Sequence, residues 1–91
     1  MRDEAAVSWG EGRIDLFWRD DGDALWHRSF DGLAWGAAES LGGQLATGMT
    51  PAASSWSADR LDVFATGVGG QVWHRYWNGT RWVEWARLEA A

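Results

Sequence analysis

Along the whole chain, short runs of alternating apolar and polar residues are interrupted by Gly, Asp or Asn. Ala5 to Trp9, Arg13 to Arg19 and Ala24 to Phe30 are three such runs, and a fourth begins at Ala34. A side-chain period of two with high aromatic content predicts strands and not helices, because successive residues of a strand face opposite sides. Asp31-Gly32 and Asn78-Gly79 have the make-up of two-residue hairpin loops of the type I′ kind, in which both central residues take positive φ. Gly22-Asp23 and Gly69-Gly70 mark the preceding hairpin in each half.

The two halves are one pattern written twice. Shifted by 47 residues, positions 4 to 44 match positions 51 to 91 without a gap at 14 of 41 places, including Trp9/Trp56, Asp15/Asp62, Phe17/Phe64, Trp26/Trp73, His27/His74, Arg28/Arg75 and Trp35/Trp82. Four short strands in about 47 residues is the size of one propeller blade. The expected fold is therefore all-β: two four-stranded antiparallel blades, residues 1-47 forming the first with its linker and residues 48-91 the second. Two blades cannot close a ring, since propellers have roughly four to eight. Closure is expected by homo-oligomerisation with a head-to-tail interface, a trimer of six blades first and a tetramer of eight second.

Composition narrows the partners. The net charge is -5 and every cation is an unclustered arginine, which argues against nucleic acid, whose binding relies on clustered cations neutralising phosphates. There is no cysteine, hence no disulfide and no thiolate metal site. No stretch has the length expected of a signal peptide or a membrane span, so the chain reads as soluble. Nine tryptophans beside one tyrosine and three phenylalanines mean many large flat surfaces that pack on each other or receive a ligand.

The runs Ala6-Val7-Ser8-Trp9, Arg13-Ile14-Asp15-Leu16-Phe17, Leu25-Trp26-His27-Arg28 and Glu39-Ser40-Leu41-Gly42-Gly43, with Arg60-Leu61-Asp62-Val63-Phe64 and Val72-Trp73-His74-Arg75-Tyr76-Trp77 in the second half, resemble the repeat of the Photorhabdus-type bacterial propeller lectins. The resemblance covers nearly the whole chain. It implies a multivalent lectin that binds fucose or related, sometimes O-methylated, sugars between adjacent blades, with glycans as partners. That family has seven blades, one away from either closed ring.

Two-residue loops at Asn78-Gly79 and four-residue loops at Asp20 to Asp23 would place Asp62 opposite Arg75, Arg75 opposite Trp82 and Trp73 opposite Glu84, with Asp15, Arg28 and Trp35 forming the same row in the first half. One reading of the row is an internal strut, in which a carboxylate holds the guanidinium under a cation-π contact. The other is a sugar platform, with Trp stacking on the ring while Arg and a carboxylate take its hydroxyls. Trp77, Glu84 and Trp85 replace Phe30, Ala37 and Ala38, so the second half is better equipped. The candidate sugar-binding residues are Trp73, Arg75, Trp77, Trp82, Glu84 and Trp85, joined by Arg28 and Trp35. No cofactor, metal or catalytic residue is expected. His27 and His74 read as satisfied buried histidines, and Asp20, Asp21 and Asp23 as a solvated turn and not a calcium loop. Two other functions stand against the lectin: a purely structural or designed propeller fragment whose tryptophans are all core, and a glycosidase, which needs two carboxylates across a scissile bond.

Overall fold

The computed structural model of the protein describes residues 4–88. They form two four-stranded antiparallel sheets, and among them there is no helix; none is therefore long and apolar enough to cross a membrane. The first sheet runs in chain order from β1 (Glu4–Val7) through β2 (Ile14–Arg19) and β3 (Leu25–Phe30) to β4 (Glu39–Gly42). The second repeats it with β5 (Ala52–Ser54), β6 (Leu61–Thr66), β7 (Val72–Trp77) and β8 (Trp82–Arg87).

The hairpin loops are longer than their sequences predict. Phe30 pairs with Trp35 and Trp77 with Trp82, so the loops at Asp31 and Asn78 hold four residues, not two. The side chain explains the difference: Asp31 Oδ1 accepts from the Leu33 and Ala34 amides, and Asn78 Oδ1 from those of Thr80 and Arg81. Such a side-chain cap organises a wider turn in which only the glycine takes positive φ, at Gly32 and Gly79. The β2–β3 and β6–β7 loops hold five residues, closed by Asp20 N–H to the Ala24 carbonyl and Gly67 N–H to the Gln71 carbonyl.

One extra residue changes the facing of every side chain beyond it. Asp62 lies opposite Tyr76 and Asp15 opposite Ser29, so the expected Asp-Arg-Trp row does not form. In the second sheet, Leu61, Val63 and Ala65 share a face with Trp73, Arg75, Trp77 and Trp82, while Asp62 and Phe64 share the other with His74 and Tyr76. β4 also starts later than expected. Gly36, Ala37 and Ala38 have little β-propensity and leave only the Phe30–Trp35 bridge, whereas Val83, Glu84 and Trp85 continue β8 through a bulge.

The core lies where the two sheets meet. Phe17, Leu25 and Leu41 of the first sheet are buried against Leu61, Val63 and Ala65 of the second, with Leu45 of the linker sealing one end. Burying one such side chain stabilises the fold by roughly 1.5–3 kcal/mol. The first strands of the two sheets, β1 and β5, also touch. His27 stacks on Phe17 with centroids 4.8 Å apart, and Trp82 meets both rings edge-on at 5.3 and 5.8 Å.

Candidate functional site

Between the outer half of the second sheet and the linker that follows β4 lies a cleft of about 550 Å³. Trp73 of β7 and Trp85 of β8 form its wall, Gly43 to Leu45 its opposite side, and Val68, Gly69 and Gln71 of the β6–β7 loop its rim. Both indoles lie flush against backbone because the facing residues are glycines. A Cβ at Gly67 would come within 2.8 Å of Trp73 Nε1, and one at Gly43 within 3.3 Å of the Trp85 ring. Gly43 also has φ +88, a conformation side-chain-bearing residues rarely adopt. The linker is fastened to the second sheet by two backbone hydrogen bonds, Ala46 N–H to the Thr66 carbonyl at 2.9 Å and Val68 N–H to the Gln44 carbonyl at 3.1 Å.

Trp85 is pinned by its own indole, whose Nε1–H donates 2.7 Å to the Leu41 carbonyl of the first sheet. Among the described residues, nothing accepts from Trp73 Nε1. Gln44 and Gln71 each bring an amide able to donate and accept. No lining residue carries a charge. The cleft thus offers two aromatic surfaces, a free indole N–H and two amides, a set suited to a small neutral ring bearing hydroxyl groups.

The other candidate residues are spread around this cleft. Arg75 lies behind it, donating from Nε to the Val83 carbonyl at 2.9 Å and from the guanidinium terminus to the Leu41 carbonyl. Trp82 packs at the sheet junction, and Trp77 packs on Trp82 while its Nε1 donates 3.0 Å to Asp59. Glu84 is exposed on β8. Arg28 and Trp35 lie on the open face of the first sheet, where the Arg28 guanidinium sits 5.8 Å from the Trp35 ring centroid and its Nε donates to Gly36. Of the eight, the structure brings Trp73 and Trp85 into the lining. Gln44, Gln71 and Gly43 went unnoticed in the sequence, although Trp85, whose counterpart is Ala38, pointed to the right strand.

The recurring carboxylates have other partners. Asp15 is held by Arg13 and, at 2.7 Å, by His27 Nε2, and the far nitrogen of His27 reaches Glu39 at 3.1 Å. Asp62 accepts two 2.9 Å bonds from Arg60 and lies 2.8 Å from His74 Nε2. The Arg60 guanidinium, and then the His74 imidazole, hold the Asp62 carboxyl below the usual carboxylate range against the opposing effect of burial. His27 is a buried, fully partnered histidine, as its repeat position implied; His74 is half-buried. Asp20 is occupied within its turn, accepting from the Gly22 and Ala24 amides and the Trp26 indole. Compared with models of known families and with curated proteins, the chain gives no match.

Proposed function

We propose that the protein is a carbohydrate-binding module, a lectin for fucose or related O-methylated sugars, whose two sheets are adjacent blades of a β-propeller completed by further copies of the chain. The observation that carries the sugar reading is the cleft between the second sheet and the linker that follows β4. Its volume falls within the roughly 300–1,000 Å³ of small-molecule sites, and its two indoles and uncharged amides match a ring with one apolar face and a polar edge. Trp73 and Trp85 supply the stacking surfaces, and Gln44, Gln71 and the Trp73 indole N–H take hydroxyls. The uncharged lining supports binding without catalysis, since a glycosidase works through two carboxylates.

The repeated sheets, sequential strand order and touching first strands support the propeller reading. A trimer gives six blades and a tetramer eight. Several weak sites on one rigid body raise apparent affinity for a glycan-coated surface by about 10² to 10⁴. A glycan array tests the proposal: fucosylated or O-methylated glycans should retain the wild-type protein and release Trp85→Ala. The packing roles of Arg75, Trp77 and Trp82 favour the alternative of a structural propeller without ligand, which a blank array from an intact assembly would establish.

A further inference from the structure

The packing of the second sheet on the first leaves two faces uncovered, and the repeat relates each to a face that is buried. At the internal junction the first sheet contributes Phe17 and Leu25, both 0% exposed, and Leu41, 3% exposed. Their counterparts in the second sheet are Phe64, Val72 and Leu88, and the last two are 41% and 45% exposed. From the second sheet the junction takes Leu61 at 1% and Val63 at 0%; the counterpart of Leu61 in the first sheet, Ile14, is 39% exposed. Trp35, the counterpart of the junction residue Trp82, is 41% exposed. The chain thus carries at its two ends the two halves of a contact it already makes once.

We infer that these faces bind each other in neighbouring copies of the chain, with Arg28 as the polar latch that sets their register. Arg28 and Arg75 make the same local bond, Nε to the Gly36 carbonyl at 2.7 Å and Nε to the Val83 carbonyl at 2.9 Å, and Gly36 and Val83 are themselves repeat counterparts. Arg75 then extends to the Leu41 carbonyl of the sheet packed on it. Arg28 is exposed and held in the same pose, and the carbonyl corresponding to Leu41 is that of Leu88 in the neighbour. Leu88 is positioned for this, its N–H bonded to the Val72 carbonyl at 2.9 Å. The contact is heterologous, Ile14, Arg28 and Trp35 of one copy on Phe64, Val72 and Leu88 of the next, and repeating it closes a ring. This inference rests on the assembly half of the proposed function and is independent of the sugar.

Two variants that each spoil one face test it. Ile14→Arg blocks the first-sheet face and Val72→Arg the second-sheet face, both at positions exposed within a single chain. Native mass spectrometry should find each variant monomeric alone, and an equimolar mixture should give a one-to-one dimer that grows no further. Arg28→Ala should raise the concentration at which the wild-type assembly dissociates by about tenfold to a hundredfold, the effect of one charge-assisted hydrogen bond. A mixture that stays monomeric, or either variant assembling alone as the wild type does, would overturn the pairing of faces while leaving wild-type assembly standing. A wild-type chain that is itself monomeric at micromolar concentration would remove both.

Discussion

The Arg75 guanidinium donates to the Leu41 carbonyl, 34 residues earlier in the chain and in the other sheet. Together with the Trp85 indole bonded to the same oxygen, it ties β4 of the first sheet to β7 and β8 of the second and holds Trp85 in the wall of the cleft. Arg75→Ala removes bonds to two backbone carbonyls and leaves Leu41 with one donor. A loss of about 1.5–3 kcal/mol is expected, read from the urea midpoint. Sugar affinity should fall with it, because Trp85 loses the neighbour that steadies its acceptor.

Trp85→Ala removes one wall of the cleft and the indole bond to the Leu41 carbonyl, so the urea midpoint should fall while the assembled mass is kept. Loss of one stacking face should weaken monosaccharide binding at least about tenfold, near 1.4 kcal/mol. Titration calorimetry on the assembled variant checks the loss of affinity.

Gly67→Ala tests the close approach of Trp73 to the backbone. The added Cβ would lie 2.8 Å from Trp73 Nε1, and the indole must move into the cleft to make room. Overpacking of this kind costs roughly 1–3 kcal/mol. A lowered melting temperature together with reduced sugar binding is the expected result.

Asp62 gives the fold an acid limit. Its carboxyl is held below the ordinary value of 3.8 by Arg60 and His74, so the folded state binds that proton less readily than the unfolded chain. The stability it contributes is complete above about pH 4 and is lost as pH falls through the lowered folded value. Asp62→Asn should lower the urea midpoint at pH 7 and flatten its decline in acid. Asp62→Ala, which leaves the partly exposed Arg60 and His74 without their acceptor, should cost about 1.5–3 kcal/mol.

The sequence announced the strands, the duplication and the all-β class, because each rests on a local signal that recurs 47 residues later. Register was hidden for a physical reason. Asp31 and Asn78 cap their own turns through side-chain oxygens, and Asp20 does the same while holding Trp26, so each loop takes in one or two more residues than its dipeptide suggests. Asp15 and Asp62 thereby turn toward histidines and away from Arg28 and Arg75. The same displacement carries Arg75 from the anticipated sugar platform to the seam behind the cleft. Trp85 was legible as an aromatic residue with no aromatic counterpart in the first half, and Trp73 as a tryptophan that recurs from Trp26. Gln44 and Gln71 were not, since they lie outside the strands and line one cleft only once the linker is fastened to the second sheet.

The cleft between the second sheet and the linker is proposed to receive a sugar. Isothermal titration of the assembled wild-type protein with methyl fucoside measures that binding most directly. A saturable heat with Kd of order 0.1–1 mM, about -4 to -5.5 kcal/mol, is predicted, and in Trp85→Ala of unchanged assembled mass the Kd should rise at least about tenfold. Heats that stay at the level of dilution up to tens of millimolar sugar, or that persist undiminished in Trp85→Ala, would contradict it.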